Sequence, residues 1–252
     1  MIQALVSGCN GKMGRIVTQL LEQNDAFLVF GGYDKTEAED YSYRTFTTPS
    51  EIVDIPDVII DFSVPEATMT LLEYAVSKKV PMVIATTGFT KEQELQLQEA
   101  SGHIPIFKAS NMSFDIYLMG ELVSQVASIL SDTDIEITET HHNRKIDSPS
   151  GTALFLADKI KEARPDLVYN FNRMAQKKKR EPNEIGFSSI RGGNIVGEHT
   201  VQFFGPNETL EIKHTSYSRE IFAEGALKAA QFLVSQKEPR MYSMSDLAGT
   251  FK

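Results

Sequence analysis

Two histidines, an arginine and a lysine fall within five consecutive positions of this 252-residue chain, His141-His142-Asn143-Arg144-Lys145. The formal net charge of the chain is -9 at pH 7, so this cationic cluster stands against an acidic background. Crowded positive charges repel one another unless an anion or carboxylates offset them. Histidine can also give or take a proton near neutral pH. The segment therefore predicts a pocket for a small polyanion with a titratable acid beside it.

A predicted helix follows the cluster, from Ala153 to Lys161, and Ser150-Gly151-Thr152 opens it. The N-terminus of a helix offers free backbone N–H groups and a partial positive charge, and serine is a preferred cap. These three residues are therefore predicted to form a carboxylate or phosphate site next to the cluster.

Two other interpretations of the cluster stay open. The histidines are surface residues of a basic loop in the first, and Ser150 is then only a cap. The second is a metal site built from Glu139, His141, His142 and either His199 or His214. Adjacent residues of a strand point to opposite faces, which argues against joint ligation by His141 and His142. We therefore predict no metal.

A glycine-rich segment near the N-terminus has the spacing Gly8-x-x-Gly11-x-x-Gly14 between a predicted strand and a predicted helix. Glycines there permit a tight turn and a close approach of the backbone to a pyrophosphate, which the helix N-terminus attracts. Asn10 stands where the commonest fingerprint has its middle glycine. Asp34 follows Gly14 by 20 residues, where an acidic residue holds a ribose hydroxyl. A dinucleotide-binding turn is predicted, with a plain strand–helix turn as the alternative.

The sequence leaves the choice of dinucleotide open. Asp34 favours NADH, whereas Lys35 and Lys12 are placed to meet the 2′-phosphate of NADPH. Both lysines are equally compatible with ordinary surface charge.

Strands and helices alternate over the first 108 residues, which predicts a parallel sheet with right-handed crossovers. The predicted strands cover residues 2–7, 26–33, 58–62, 81–86 and 104–108, and the predicted helices cover 15–23, 65–77 and 91–100. Ser63 is the predicted cap of the second helix. Ligands of such sheets bind beyond the carboxyl ends of the strands.

The pattern changes after about residue 112. A helix is predicted at 113–130, a strand at 135–141, a hairpin at 197–204 and 209–214, and a final helix at 220–235. We predict an α/β protein: an N-terminal Rossmann-like parallel sheet, a second α+β domain for substrate binding and oligomerisation, and a C-terminal helix that returns to the first domain. The predicted boundaries are 1–111 for the dinucleotide-binding domain, 112–218 for the second domain and 219–252 for the return.

Composition excludes several classes of protein. A single cysteine, Cys9, excludes a disulfide framework and a CxxC zinc site. The acidic balance argues against nucleic-acid binding, so the run Lys177-Lys178-Lys179-Arg180 is predicted to be a solvated loop. No apolar run approaches the ~18 residues of a membrane span, and the N-terminus lacks the basic region of a signal peptide. A cytoplasmic location is expected.

The run from His141 to Ala153 closely resembles the signature of the dihydrodipicolinate reductase family, roughly E-x-H-H-x-x-K-x-D-x-P-S-G-T-A. Further matches to family blocks cover nearly the whole chain. They lie at residues 8–14, 61–63, 86–89, 109–113, 191–201, 218–219 and 222–226. Two positions depart from the family: Ala85 replaces a frequent glycine, and Asn194 replaces a common aspartate.

The resemblance implies NAD(P)H-dependent reduction of 4-hydroxy-tetrahydrodipicolinate to tetrahydrodipicolinate in lysine and diaminopimelate biosynthesis. It implies His141 as the acid/base and Lys145 as a second proton donor. The substrate dicarboxylate would be bound by His142, Ser150, Gly151 and Thr152. NADPH or NADH would be bound by Gly8, Cys9, Asn10, Gly11, Lys12, Met13, Asp34, Lys35, Ala85, Thr86, Thr87, Ala109, Ser110, Asn111 and Met112. A homotetramer formed through the sheet of the second domain is also implied.

Four other activities are alternatives, and a zinc hydrolase is the weakest of them. A non-enzymatic NAD(P)(H)-binding sensor would keep the glycine loop and Asp34 but would not need His141 and Lys145. A reductase of a related cyclic imine dicarboxylate would need both. An aspartate-semialdehyde dehydrogenase would need a nucleophilic cysteine in its catalytic domain, and Cys9 lies too early in the chain to supply it.

Overall fold

The structure, a computed structural model, describes residues 1–37 and 41–250 and divides into two compact units. The first unit comprises Met1–Ser113 together with the chain from Arg219 onward, and the second comprises Phe114–Ser218. Residues 251–252 of the predicted return segment lie outside the described residues.

Twelve strands and seven α-helices make up the described parts of the chain. The strands are β1 (Ile2–Ser7), β2 (Phe27–Tyr33), β3 (Thr45–Phe46), β4 (Val58–Asp61), β5 (Met82–Ile84), β6 (Ile106–Lys108), β7 (Asp134–His141), β8 (Val168–Asn170), β9 (Glu184–Arg191), β10 (Gly197–Phe204), β11 (Thr209–Ser216) and β12 (Met241–Tyr242). The helices are α1 (Lys12–Glu22), α2 (Pro65–Lys78), α3 (Lys91–Ala100), α4 (Phe114–Ile129), α5 (Gly151–Ala163), α6 (Glu220–Val234) and α7 (Met244–Gly249).

The first unit is built on a seven-stranded sheet in the order β12-β6-β5-β4-β1-β2-β3, with every neighbouring pair parallel. Its central strands are apolar runs because helices cover both faces of a parallel sheet, and β4 is buried at every position. Helix α6 packs on α1 and on β4, β5 and β6. The predicted parallel sheet and the returning C-terminal helix are confirmed.

Helix α2 begins differently from the sequence prediction. Pro65 is its first residue, as expected, but its N-cap is Val64, which makes no side-chain capping bond. The predicted cap, Ser63, is wrong because its hydroxyl instead donates to Asp61 Oδ1 at 2.5 Å. A buried carboxylate is the stronger acceptor for that hydroxyl.

The second unit is a five-stranded mixed sheet in the order β11-β10-β7-β9-β8. The predicted hairpin is confirmed, since β10 pairs antiparallel with β11. Strand β7 alternates between buried and partly exposed residues. Its buried side joins a core with the helices α4 and α5, through residues such as Ile135, Ile137, Leu156 and Ile160. Glu139 and His141, the later buried residues of this alternation, therefore lie on the side of the sheet that faces the helices.

The basic run at 177–180 is only partly the solvated loop that was predicted. The three lysines are exposed, but Arg180 is partly buried and pairs with Asp134 (Nε to Oδ1, 3.0 Å) and Glu136. In residues 1–37 and 41–250, no helix has the length and apolar character needed to cross a membrane.

Candidate functional site

In the turn from β1 into α1, two glycines lie too close to neighbouring backbone atoms to carry a side chain. Gly8 has φ +77°, and a Cβ there would lie 2.7 Å from the carbonyl oxygen of Phe62. A Cβ on Gly14 would lie 2.1 Å from the carbonyl oxygen of Gly8. Both positions therefore require glycine. The result is an open backbone cradle at the start of α1, a shape that suits a pyrophosphate.

Asn10, at the position of the missing middle glycine, ties this loop to the end of β2. Its backbone N–H donates to Asp34 Oδ2 at 3.0 Å, and its side-chain amide donates to the carbonyl oxygen of Thr36 at 2.8 Å. Asp34 Oδ1 also accepts the N–H of Lys35 at 2.8 Å. The asparagine therefore joins the two segments that a dinucleotide fingerprint must bring together.

A cleft of about 570 Å³ lies beside this loop within the first unit. Of the fifteen residues predicted to bind the cofactor, five line it: Gly8, Asn10, Gly11, Asp34 and Lys35. Ligand pockets usually occupy ~300–1,000 Å³. The glycine cradle, the carboxylate at the strand end and this volume all fit a dinucleotide.

The other ten predicted cofactor residues do not line this cleft. Lys12 is exposed and Met13 partly exposed at the start of α1, whereas the Cys9 side chain is fully buried. Burial and the nearby Asp34 charge raise the pKa of Cys9 to about 11, so the thiol stays neutral. Ala85, Thr86 and Thr87 follow β5, and Ala109, Ser110, Asn111 and Met112 follow β6, both at the carboxyl edge of the sheet.

A buried carboxylate that sequence reasoning did not single out organises this edge. Asp61 is fully buried at the end of β4 and accepts hydroxyl hydrogen bonds from Ser63 (2.5 Å), Thr68 (2.6 Å) and Thr86 (2.8 Å). Thr86 Oγ1 also accepts the N–H of Ser63 at 3.0 Å. Asp61 therefore fixes the ends of β4 and β5 against the first turns of α2.

The acid predicted in the second unit is the last residue of β7. His141 is 8% exposed, and its Nδ1 lies 2.5 Å from Oε2 of Glu139, which precedes it by two residues on the same face of the strand. Glu139 is 1% exposed and accepts two hydrogen bonds from Arg191, at 2.8 Å and 2.7 Å. Arg191 ends β9, the parallel neighbour of β7.

The two partners have displaced pKa values. Burial alone would raise the pKa of Glu139, but hydrogen bonds from Arg191, Ser189 and His141 outweigh it and lower that pKa to about 2. Burial lowers the pKa of His141, and the Glu139 carboxylate opposes that effect only in part. Glu139 is therefore ionised at neutral pH, beside an imidazole whose pKa lies below its ordinary value.

The N-terminus of α5 lies against the same carboxylate. Ser150 caps the helix, since its Oγ accepts the N–H of Ala153 at 3.2 Å, and its own N–H donates to Glu139 Oε1 at 3.3 Å. His199, on β10, places Nε2 2.9 Å from Ser150 Oγ, and burial lowers its pKa to about 3. A Cβ on Gly151 would meet only open space. The first turn of α5 is therefore rigidly capped and open to a ligand at Gly151.

The other members of the predicted site follow His141 along the chain. Lys145 is partly exposed, and its Nζ lies 2.8 Å from Asp147 Oδ1. Its charge is among those that lower the pKa of His141. His142, which directly follows His141 in the chain, is partly exposed. Arg144 donates to Asn194 Oδ1 at 2.9 Å, so the residue that departs from the family pattern has a partner here.

The sequence prediction considered Glu139 only as a metal ligand. It considered His199 as a metal ligand or a strand residue, and it gave Arg191 no role. The spacing of Glu139 and His141 was a usable signal, because residues two apart share a face of a strand. Arg191 gave none, since it lies 52 residues from Glu139. No group of three or more His, Cys, Asp or Glu residues within 1–37 and 41–250 is arranged to hold a metal ion.

Comparisons with known proteins show which family the chain is similar to. Residues 2–112 match the family described as dihydrodipicolinate reductase, N-terminus, and residues 115–248 match dihydrodipicolinate reductase, C-terminus. The 4-hydroxy-tetrahydrodipicolinate reductase of Caldanaerobacter subterraneus subsp. tengcongensis is 46% identical over 98% of both chains, and that of Clostridium novyi is 43% identical over 98% of both.

A solved structure is also similar. The dipicolinate-bound dihydrodipicolinate reductase from Paenisporosarcina sp. TG-14 superposes with a TM-score of 0.81 at 25% identity, covering 96% of this chain and 97% of that one. Because family matches span both units and close relatives match end to end, the resemblance inferred from the sequence is confirmed, and this chain belongs to the dihydrodipicolinate reductase family.

Proposed function

We propose that this chain reduces 4-hydroxy-tetrahydrodipicolinate to tetrahydrodipicolinate with NADH or NADPH, in lysine and diaminopimelate biosynthesis. The first unit would hold the dinucleotide and the second unit the substrate. The observation that carries the proposal is the convergence of a buried, carboxylate-bound His141 with the capped N-terminus of α5. Relatives named 4-hydroxy-tetrahydrodipicolinate reductase support the reaction. The dipicolinate bound in a similar solved structure supports a small dicarboxylate as the ligand.

Each group would act on a distinct part of the substrate. The dinucleotide, when bound, supplies hydride. Loss of the 4-hydroxyl group as water, with release of one ring proton, gives the double bond that is reduced, and Lys145, the second proton donor, would protonate the departing hydroxyl. After hydride addition, His141 would protonate the atom on which negative charge collects, so the net uptake is one hydride and one proton. The N–H groups of Gly151 and Thr152 would bind one carboxylate, and His142 would contact a carboxylate as well. Fixed positive charge near the reacting ring is expected to stabilise the transition state.

The choice of dinucleotide would be made at the end of β2. Asp34 would accept hydrogen bonds from the ribose hydroxyls of NADH, whereas Lys35 and Lys12 would offset the 2′-phosphate of NADPH. Asp34 and Lys35 line the same cleft, so the ratio of the two rates measures their balance. Removal of the Lys35 charge by Lys35→Gln is expected to shift that ratio toward NADH.

A coupled assay tests the activity. The upstream synthase would generate the substrate from pyruvate and aspartate semialdehyde, and the loss of reduced-nicotinamide absorbance would be followed with NADH and NADPH in parallel. Oxidation that requires the synthase supports the proposal. A folded protein that binds dinucleotide but oxidises neither cofactor would instead be a sensor or would act on a different imine.

We also propose a homotetramer formed through the sheet of the second unit. The side of this sheet that carries Glu136, Thr138 and Thr140 is partly exposed. It includes two exposed apolar side chains, Ile190 and Phe204. Sedimentation velocity is expected to give four times the monomer mass of 28.1 kDa. A species at the monomer mass at micromolar concentration would contradict the proposal.

A further inference from the structure

We infer that Glu139 and Arg191 form a positioning pair, which fixes the nitrogen of His141 that exchanges a proton with substrate and joins it to the substrate-binding end of α5. The inference rests on the proposed function, because it assigns the pair a role in the same reaction. Neither residue is expected to touch the substrate, so both act through His141.

The first step concerns which ring nitrogen carries the proton. A neutral imidazole has one N–H donor and one acceptor nitrogen. An ionised carboxylate can only accept, so its contact with Nδ1 at 2.5 Å places the hydrogen on Nδ1. Nε2 is then the nitrogen left to exchange a proton with substrate. A Cβ on Gly197 would lie 3.1 Å from Nε2, so glycine at that position keeps the space beside it open.

The second step concerns the orientation of the carboxylate. Arg191 donates hydrogen bonds to both oxygens of Glu139, at 2.8 Å and 2.7 Å. It also donates to the carbonyl oxygen of Asp147 at 2.7 Å. A two-point guanidinium contact fixes the plane of a carboxylate as well as its position. Because that plane is fixed, the ring of His141 is held in one orientation.

The third step links the acid to the anion site. The oxygen of Glu139 that does not contact His141, Oε1, accepts the N–H of Ser150, the N-cap of α5. One buried carboxylate therefore sets the position of both the proton donor and the helix end proposed to bind the substrate carboxylate. Misplacing reacting groups by about 1 Å can cost ~10²-fold in rate. Loss of the pair should therefore lower kcat more than it raises KM.

The charged and titratable groups that face His141 come from four segments. They are Glu139 on its own strand, Arg191 on β9, Lys145 in the following loop and His199 on β10, whose ring centroid lies 5.1 Å away. Glu139 is the one anion among these four. Removing its charge should lower the pKa of His141 further. As the pH rises, activity that depends on the protonated imidazole should therefore be lost at a lower pH.

The first test compares two variants of the second unit. Glu139→Gln keeps the shape of the side chain but can donate its amide to Nδ1, which would favour the wrong tautomer. In a histidine–carboxylate pair of a protease, the equivalent change costs ~10⁴-fold in kcat. We expect kcat to fall ~10²–10⁴-fold and KM to change less than ~10-fold. The loss of kcat/KM on the alkaline side of the pH profile is expected to occur at lower pH.

The matched control is Glu162→Gln. Glu162 also lies in the second unit and pairs with a cation, Lys159, but it is exposed on α5 and outside the proposed tetramer face. Its kcat and pH profile are expected to match the wild type. If Glu139→Gln keeps the wild-type kcat and pH limb while the wild type is active, the inference is overturned.

The second test reads the tautomer in the wild-type protein and uses a variant only to assign the signal. The wild-type protein, labelled with ¹⁵N at its five histidines, is expected to give an Nδ1–H signal for His141 at pH 7.5, assigned by its loss in His141→Gln. An Nε2–H tautomer would overturn the inference. An inactive wild-type enzyme would overturn the proposed function instead, and the NMR signal would still decide whether the pair sets the tautomer.

Discussion

Opposing effects of the surroundings determine the pKa of His141. Burial disfavours the imidazolium form, and so do the charges of Lys145 and Arg191, while Glu139 favours it. Burial is the largest of these effects, so the net result is a lowered pKa for His141. A proton donor with a lowered pKa gives up its proton readily, which suits protonation of a carbon or nitrogen that has just gained negative charge.

The first prediction at this scale concerns His141 itself. His141→Gln is expected to lower kcat ~10²–10⁴-fold at saturating substrate, the usual effect of removing a general acid. The dissociation constant for NADH, measured by fluorescence, should stay within about twofold of the wild-type value, because the cofactor cleft lies in the first unit. Undiminished turnover would remove His141 from the mechanism.

The second prediction concerns stability and His199. Its pKa falls from 6.5 to about 3 because of burial and the nearby His141, and its Nδ1 has no hydrogen-bond partner in the described chain. Below pH 6.5, His199 therefore binds a proton in the unfolded chain but stays neutral in the folded chain until the pH approaches 3. This contribution to stability is present above pH 6.5 and is lost as the pH falls toward 3, by on the order of 5 kcal/mol at most.

Urea denaturation at pH 7 and pH 5 checks this sign. His199→Gln is expected to be less stable than the wild type at pH 7, since burial and the contact with Ser150 are disturbed. It should, however, lose less free energy of unfolding between the two pH values. An equal loss in both proteins would show that His199 does not control acid sensitivity.

The residues of the proposed site were predictable to different degrees. The Ser150 cap was predictable because capping depends on local sequence, and the structure shows its bond to Ala153. The bond from Arg191 to Glu139 was not, because parallel pairing of β7 and β9 brings together residues 52 positions apart. The second partner of a buried charge depends on strand order, which local patterns do not contain.

At the scale of elements, the turn from β1 into α1 gives a sharp prediction. Gly14→Ala would normally strengthen a helix, because alanine is the better helix former. Here the new methyl would meet the Gly8 carbonyl oxygen at 2.1 Å and force the loop out of place. We expect a loss of at least ~10-fold in NADH affinity and a lower melting temperature.

Gly249→Ala is the matched control for this change. Gly249 ends α7, and a Cβ there would meet nothing within 4 Å. Its NADH affinity and melting temperature should equal or exceed those of the wild type. If Gly14→Ala binds NADH as tightly as this control does, the close contact does not limit the loop.

Long, strongly patterned elements were the predictable ones. Strand β1 and helix α3 begin and end at the predicted residues. Strands β3 and β12 have two residues each, too few to show a period. Strand β9 was missed because Gly186, Ser188 and Ser189 interrupt its apolar pattern. The core sheet could therefore be predicted, while its two outermost strands could not.

At the scale of the whole molecule, the first unit depends on both ends of the chain. Helix α6 packs on β4, β5 and β6 with buried residues such as Ala226, Ala230 and Leu233, and β12 pairs with β6. A chain that ends at Ser218 would expose that face of the sheet. Hydrogen exchange should then show a loss of protection in β1 and β4 but retained protection in β7 and β10.

Binding of NADH to the shortened chain should fall below detection by fluorescence, because the cleft is built on the same sheet. Dinucleotide affinity equal to that of the full chain would show that residues 2–113 fold without the returning segment.

The contribution of β12 to the first sheet also matters while the chain is being made. The second unit is continuous in sequence, so all of it leaves the ribosome before the first unit has its last strand. Until then, one edge of β6 stays unpaired and the apolar face beneath α6 stays open, which are features that promote aggregation. For a nascent chain, the risk of aggregation is therefore expected to persist from the synthesis of residue 113 to that of residue 242.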